Sequence, residues 1–323
     1  MRAHVGPLWR HLRRAWPWTK RLGAAVLVGL ALNGALRGLV AAAIALAPNA
    51  KPGAAQLAVP PPPVLAGLDV TPLRVPLGAD AGELSSWVLE PSGPAKGTIV
   101  LLHGVRMDKR SLAPIAVAFS DAGYRSILVD LRGHGESDGA YLTYGAADAV
   151  GVSKLLDVLQ TEAMASTPIG VFGFSYGAAT AIDLAARDPR VSSVVAVSSF
   201  SSLRHVIGDY RRKYLPAVLG LVPDAWFQRA VDDAGLLAGF DADRAAPVHN
   251  IAKARAKVLL IHGDHDSQVP LVHSQRLARA SSGRAELLVI AGGTHDSMPL
   301  DAGHQLRDRA VSWFDASLAA RQL

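Results

Sequence analysis

After Gly67 the sequence alternates between strand-like and helix-like runs, and this alternation limits the possible folds more than any other feature. The strand-like runs are short, apolar and rich in β-branched residues, as in Gly97 to Leu102 (GTIVLL) and Ile169 to Phe172 (IGVF). Helix-like runs follow them, for example Tyr176 to Arg187. This order predicts an α/β fold in which helices flank both faces of a mostly parallel sheet.

Two parts of the chain depart from the alternation. Thr71 to Val75 and Leu84 to Leu89 read as antiparallel strands that lead into the sheet. The stretch from Ser201 to Asn250 separates two strands by about 50 residues, which is longer than an ordinary crossover. Because this stretch is rich in aromatic residues, we interpret 201–250 as an inserted helical cap.

An apolar stretch of 26 residues runs from Leu22 to Ala47, and its only strongly polar members are Asn33 and Arg37. A helix of this length exceeds the roughly 30 Å hydrocarbon core of a bilayer. Six basic residues and three tryptophans precede it, so we predict a basic cytoplasmic segment at 1–21 and a transmembrane anchor at 22–47. The body then lies on the extracytoplasmic, periplasmic side. Arg37 counts against a transmembrane span, because inserting a charged side chain into the bilayer costs about 2.5–3.5 kcal/mol of free energy.

A cleaved export signal is the alternative interpretation of the same stretch. Leu22 to Leu36 has the length of a signal-peptide hydrophobic region, and Ala41 to Ala47 offers small-residue cleavage sites. A buried helix of a cytosolic protein is a third. The proline-rich residues 48–67 are expected to form a stiff, extended linker before a globular body at 68–323.

Charge and cysteine content exclude several classes of protein. The formal net charge is +6, but eight basic residues precede Asp69, the first acidic residue, and the rest of the chain is slightly acidic. A nucleic-acid-binding body concentrates positive charge on one face, so nucleic acid is not an expected partner. The chain contains no cysteine, which excludes disulfides, thiol catalysis and zinc sites built on cysteine.

Residues 173–177 (GFSYG) fit the pattern G-x-S-x-G and lie between a predicted strand and a predicted helix. Glycines there permit the sharp turn, called a nucleophile elbow, that presents a serine hydroxyl above the sheet edge. The pattern alone is weak in a chain with 30 glycines, so its placement carries the interpretation. We predict that Ser175 is a catalytic nucleophile.

A serine hydroxyl needs a base to take its proton and a carboxylate to orient that base. Asp266 follows the strand Lys257 to Ile261, and His295 follows the strand Glu286 to Ile290. The order Ser175, Asp266, His295 is the chain order of one hydrolase architecture, so we predict these three as a catalytic triad. The alternatives are Asp264 and Asp296 for the acid, and His265, His273 and His304 for the base.

The negatively charged intermediate of acyl transfer needs backbone N–H donors, which form the oxyanion hole. One donor is expected from Tyr176, directly after the nucleophile. The other is expected from the loop after the strand Gly97 to Leu102, and we predict Val105. His103 in the same loop is expected to organise the loop rather than to carry protons.

Taken together, these motifs resemble those of the α/β-hydrolase superfamily over about residues 84–318. An N-terminal anchor ahead of such a domain is similar to the Bem46-like branch. The resemblance implies the α/β-hydrolase fold and serine hydrolase chemistry without a metal or an organic cofactor. The matching segments are His103-Gly104, 130–137 (DLRGHGES), 173–177, His262-Gly263 with Asp266 and Val269-Pro270, and His295.

The sequence therefore predicts a serine hydrolase that cleaves a carboxylic ester, lipid-derived esters and thioesters included, through an acyl-enzyme on Ser175. The apolar content of the cap favours a small-molecule or lipid-like acyl substrate, and the membrane is a second expected partner through the N-terminal helix. A serine peptidase or amidase of the same fold is one alternative. A catalytically silent, membrane-tethered interaction protein is the other.

Overall fold

A computed structural model describes residues 8–50, 61–78, 81–162, 164–214, 222–298 and 305–319. The strands are β1 (Val70–Pro76), β2 (Glu83–Leu89), β3 (Thr98–Leu102), β4 (Arg125–Val129), β5 (Ile169–Phe174), β6 (Val191–Val197), β7 (Lys257–Gly263) and β8 (Ala285–Ile290). The helices are α1 (Leu8–Ala45), α2 (Ala113–Asp121), α3 (Ala146–Thr161), α4 (Tyr176–Arg187), α5 (Leu203–Tyr214), α6 (Asp224–Ala238), α7 (Pro247–Asn250), α8 (Val272–Ala280) and α9 (Gln305–Ala319).

The eight described strands form one sheet in the order β1-β2-β4-β3-β5-β6-β7-β8. The pairs β1–β2 and β2–β4 are antiparallel, and the pairs from β4 to β8 are parallel. Every residue of β3, β5 and β6 is buried, as expected of strands covered on both faces. The structure thus confirms the mostly parallel sheet with antiparallel strands at one edge.

Two apolar clusters fill the two faces of the sheet. Along β3, Val100 and Leu102 belong to one cluster, whereas Ile99 and Leu101 belong to the other, which is the two-residue period of a strand. Helices α3, α4 and α8 cover the first face, and α2 and α9 cover the second. All parallel strands therefore end at the same edge, where connecting loops bring distant residues together.

A third apolar cluster joins the region between β6 and β7 to the N-terminal helix. Leu203 of α5 and Val231 of α6 pack there with Ala41, Ile44 and Ala45 of α1, which are all buried. Among the described residues, α1 contains the one helical stretch, Gly23–Ala45, that is long and apolar enough to cross a membrane. Its C-terminal end is nevertheless part of the folded domain.

The chain that follows α1 stays attached to the domain. The Ala47 N–H donates to the Ala140 carbonyl (3.0 Å), and the Asn49 side chain donates to the carbonyls of Gly135 (3.0 Å) and Ser137 (2.9 Å). Residues Pro48–Ala50 form a 3-10 helix, so the first residues of the expected extended linker are not extended. Residues 51–60, half of that linker, lie outside the described residues.

Candidate active site

Ser175 lies in the turn between β5 and α4 with a φ of 53° and a ψ of −110°. Residues other than glycine rarely adopt this backbone conformation. Its N–H donates to the Val197 carbonyl of the next strand (2.8 Å). The flanking glycines make this turn possible: a Cβ on Gly173 would lie 2.3 Å from the Gly177 carbonyl oxygen, and a Cβ on Gly177 only 2.1 Å from that of Leu102. The turn has the geometry of a nucleophile elbow.

His295 and Asp266 meet Ser175 at the carboxyl edge of the sheet. His295 Nε2 lies 3.0 Å from Ser175 Oγ, and His295 Nδ1 lies 2.7 Å from Asp266 Oδ2. The other carboxylate oxygen of Asp266 accepts the backbone N–H groups of Gln268 (3.0 Å) and Val269 (2.8 Å). These two bonds fix the carboxylate so that Oδ2 faces the imidazole.

Asp266 carries a negative charge in this arrangement. Burial alone would raise the pKa of Asp266, but hydrogen bonds from His262, His295 and the Val269 N–H hold it well below its usual range. An ionised carboxylate only accepts hydrogen bonds, so His295 Nδ1 carries the proton and donates it to Asp266. His295 Nε2 is then unprotonated, and its lone pair accepts a hydrogen bond from the Ser175 hydroxyl, as a general base must.

The other acids and histidines considered from the sequence lie outside this relay. Asp264 Oδ1 accepts the Gly292 N–H (2.7 Å), and Asp296 Oδ1 accepts the exposed side-chain amide of Gln268 (2.8 Å). His265 is an exposed side chain beside Asp264, and His273 is fully buried elsewhere in the domain. His304 lies outside the described residues.

The two predicted oxyanion donors lie on neighbouring segments. Tyr176 is the first residue of α4, so its N–H has no acceptor in a preceding helical turn. Val105 is half-buried in the loop after β3, where a Cβ on Gly104 would lie 3.0 Å from the Phe174 ring. Neither N–H donates a hydrogen bond within the described part of the chain.

His103 organises the loop that carries Val105. Its Nε2 accepts the Leu131 N–H (3.0 Å), so its Nδ1 carries the proton and donates to the Gly104 carbonyl (2.8 Å). Burial, with a smaller contribution from His134, lowers the pKa of His103 to about 3. Both ring nitrogens of this neutral imidazole are hydrogen-bonded to the backbone of the loop and of Leu131, which agrees with the role expected from the sequence.

A family model described as "Alpha/beta hydrolase family" matches residues 99–309, which include Ser175, Asp266 and His295. The chain belongs to the alpha/beta hydrolase family.

Individual relatives agree with this assignment. The protein YqkD of Bacillus subtilis is 26% identical over 221 residues, which are 68% of this chain and 71% of YqkD. The esterase Pf2001 of Pyrococcus furiosus superposes with a TM-score of 0.61 and 19% identity, over 78% of this chain and 94% of the esterase. An acylaminoacyl peptidase of Pyrococcus horikoshii gives a TM-score of 0.59 and 18% identity, over 78% of this chain but 42% of the peptidase. At these identities the solved structures show a shared fold.

Two residues, Tyr176 and His262, support the site through side-chain contacts that the sequence does not predict. The Tyr176 hydroxyl donates to Asp148 Oδ2 (2.6 Å) and accepts the N–H groups of Thr143 (3.1 Å) and Tyr144 (3.0 Å). Burial raises the pKa of Tyr176 well above its ordinary value, so the hydroxyl stays protonated. Tyr176, the residue after Ser175, therefore holds the loop after β4, and nothing in the sequence links these positions.

His262 is the second such residue. One of its ring nitrogens lies 2.7 Å from the Val269 carbonyl and 3.5 Å from Asp266 Oδ2, and the other lies 2.7 Å from Ser274 Oγ. The fully buried His262 ring thereby fixes the turn that presents Asp266. The sequence marked His262 only as part of a matching motif, because its partners belong to a turn and a helix that follow it.

A second serine, histidine and aspartate are hydrogen-bonded to one another within the hydrolase. His273 Nδ1 lies 2.8 Å from Ser201 Oγ, and His273 Nε2 lies 2.7 Å from Asp209 Oδ2. Ser201 is fully buried, and its own N–H also donates to His273 Nδ1 (3.0 Å). This set connects α5 to α8 and lacks an elbow, so it provides an internal comparison for Ser175.

Proposed function

We propose that this hydrolase is a membrane-attached serine esterase that cleaves carboxylic esters through an acyl-enzyme on Ser175. The observation that carries the proposal is the hydrogen-bonded relay from Ser175 Oγ through His295 to Asp266, with distances of 3.0 and 2.7 Å. A nucleophile, a base within reach of its proton and an ionised orienting group are the three parts that acyl transfer requires.

The reaction follows from these positions. Ser175 Oγ forms a bond to the carbonyl carbon of the ester while its proton moves to His295 Nε2. Asp266 stabilises the resulting imidazolium, and the Val105 and Tyr176 N–H groups are the proposed donors to the oxyanion. The imidazolium then gives its proton to the departing alkoxide, which leaves as the alcohol. Water, activated by the same imidazole, releases the carboxylic acid and restores Ser175.

Apolar side chains beside the relay favour an acyl group without charge. The third apolar cluster includes Ala179 of α4, one helical turn after Ser175, and Val269, which is hydrogen-bonded to Asp266. Phe200 and Val206 belong to the same cluster. Because these apolar residues connect the segments of Ser175 and Asp266 to α5, we take an uncharged alkyl chain as the favoured acyl group.

Membrane attachment rests on α1. Its leucines at positions 27, 30, 32 and 36 are between 53% and 69% exposed, a degree of apolar exposure that a lipid environment accounts for. Cleavage after Ala47 would remove the buried residues Ala41, Ile44 and Ala45 from the domain, which supports an uncleaved signal anchor. Together with the basic N-terminal segment, this supports an extracytoplasmic domain and a Bem46-like relationship as parts of the proposal.

Hydrolysis of matched substrates by the detergent-solubilised full chain tests the ester proposal. We expect turnover of p-nitrophenyl acyl esters, with kcat/KM rising with acyl length, and at least 100-fold lower kcat/KM for peptide p-nitroanilides. Ser175→Ala should abolish ester turnover, whereas Ser201→Ala, which removes the hydroxyl of the second serine–histidine–aspartate set, should retain it. Preferred cleavage of the anilides would indicate a peptidase, and the absence of any turnover by the folded protein would favour the catalytically silent alternative.

A further inference from the structure

Both strongly polar residues of the apolar stretch contact α6. Arg37 forms an ion pair with Asp233, and the Trp226 Nε1–H donates to Asn33 Oδ1 (3.3 Å). The two pairs follow the same order along both helices, so α1 and α6 run in the same direction where they meet. The N-terminal end of α6 is therefore level with Asn33.

This end of α6 cannot enter hydrocarbon. Asp224, its first residue, has a side chain that is 90% exposed, and Arg229 is also exposed. A charged side chain at the bilayer centre costs about 2.5–3.5 kcal/mol on insertion scales. The hydrocarbon core must therefore end near the level of Asn33 to Arg37, well before Ala47.

The same end of the cap carries residues suited to a lipid headgroup layer. Arg211 of α5 forms an ion pair with Asp224, and its guanidinium lies 4.5 Å from the centre of the Phe227 ring. Tyr214, at the end of α5, is 58% exposed, and Trp226 is half-buried. Tyrosine, tryptophan and basic side chains are enriched where membranes meet water. We call residues 211–214 and 224–227 the cap tip.

The apolar helix that remains in the hydrocarbon is shorter than the hydrocarbon core of a bilayer. Leu22 to Leu36 comprises 15 residues, about 22 Å of helix, against a hydrocarbon core of about 30 Å. A hydrophobic segment that is too short is accommodated by thinning of the bilayer and by drawing flanking residues to the interface. Such a mismatch brings the cap tip against the headgroups.

We propose that a phospholipid bilayer docks on the cap tip, with residues 22–36 of α1 in the hydrocarbon and residues 37–47 outside it as part of the catalytic domain. This inference rests on the proposed membrane attachment. It moves the outer end of the span about 11 residues toward the N-terminus compared with the boundaries expected from the sequence. It also places the third apolar cluster, which α1 joins at Ala41, Ile44 and Ala45, a few residues of α1 beyond the lipid boundary.

The absence of cysteine allows a direct measurement of depth. Leu27 and Leu39 are both 69% exposed and are therefore a matched pair for single Leu→Cys variants carrying an NBD fluorophore. In phosphatidylcholine vesicles with brominated acyl chains, we expect several-fold stronger quenching at position 27 than at position 39. A span over Gly23–Ala45 places both positions at similar depths, so equal quenching would overturn the proposal.

A second pair of variants tests the docking itself. A fluorophore at Tyr214→Cys should be quenched by a nitroxide on the lipid headgroup, whereas one at Leu236→Cys, 83% exposed at the far end of α6, should not. Equal quenching at the two positions would contradict docking by the cap tip. A protein that shows no quenching at any of the four positions and does not co-float with vesicles would instead overturn the membrane attachment on which the inference rests.

Discussion

His295 Nε2 lies 3.0 Å from Ser175 Oγ, although 120 residues of sequence separate them. The contact arises because β5 and β8 are parallel strands of one sheet, so the loops after them meet at one edge. Both residues are buried, since Ser175 is 4% exposed and His295 is 8% exposed. Burial keeps water from competing for the hydrogen bond.

Removal of either partner should abolish ester hydrolysis without unfolding the protein. We expect Ser175→Ala and His295→Ala each to lower kcat by about 10⁶, because the residues of such a relay act as a unit. Asp266→Asn should lower kcat by about 10⁴, since the amide no longer selects the His295 tautomer with its proton on Nδ1. Steady-state kinetics give these values, and circular dichroism checks the fold. A drop of less than tenfold in the Ser175 variant would contradict the assignment.

The buried end of α1 should contribute to the stability of the hydrolase domain. Ile44→Ala removes a side chain that is 7% exposed in the third apolar cluster, and we expect a loss of about 2–4 kcal/mol in the free energy of unfolding. Leu39→Ala, on the same helix but 69% exposed, should change it by less than about 0.5 kcal/mol. Denaturant titration in matched detergent compares the two. Equal effects would mean that α1 does not pack on the domain.

Among the basic residues outside the candidate active site, Lys109 should contribute strongly to the stability of the fold. Its buried ammonium lies 2.5 Å from Asp130 Oδ2 and 2.6 Å from Glu136 Oε2. Lys109→Met leaves a buried carboxylate without its partner, so we expect a loss of about 3–5 kcal/mol in stability. Arg244→Met, which breaks an exposed ion pair with Asp241, should cost at most about 1 kcal/mol. Similar losses for the two variants would refute this reading.

Asp183 should make stability depend on pH near neutrality. Burial raises the pKa of Asp183 to about 7 from a reference value of 3.8, although Asn250 donates to its carboxylate (2.9 Å). Between about pH 4 and pH 7 the Asp183 carboxyl therefore keeps its proton in the folded protein but has lost it in the unfolded chain. This stabilisation is complete below about pH 4 and is lost as the pH rises through 7.

The variant Asp183→Asn tests this linkage because it removes the titration and keeps the shape. The difference in unfolding free energy between variant and wild type should shift in favour of the variant by about 4 kcal/mol between pH 4 and pH 8. Urea titrations at a series of pH values measure it. A difference that does not change with pH would show that Asp183 is ionised throughout.

The sequence predicted the elements that carry the chemistry because their signals are local. Ser175 is flagged by its own glycines, and Asp266 and His295 each follow an apolar strand within a few residues. The sequence favoured Asp266 but left its neighbour Asp264 as an alternative, since that choice depends on which carboxylate the turn directs toward His295. In the structure the Gln268 and Val269 N–H groups hold one oxygen of Asp266. The other oxygen lies 2.7 Å from His295 Nδ1.

Contacts between segments that are distant in the chain could not be predicted from the sequence. Arg37 reads as a costly charge in an apolar stretch until the position of Asp233 on α6 is known. Lys109 begins a short 3-10 helix that no sequence motif marks, and its partners are 21 and 27 residues away. Tyr176 was chosen for its backbone N–H, yet its hydroxyl binds residues 28 to 33 positions earlier. In each case a polar group is satisfied by tertiary structure alone.

Covalent labelling with a fluorophosphonate tests the central claim most directly, because the probe reports an activated serine whatever the substrate. After digestion and mass spectrometry, we predict one adduct, on Ser175, that is absent from the Ser175→Ala and His295→Ala variants and unchanged in Ser201→Ala. An adduct on another serine, or no adduct on the folded wild-type protein, would contradict the proposal that Ser175 is the nucleophile of this hydrolase.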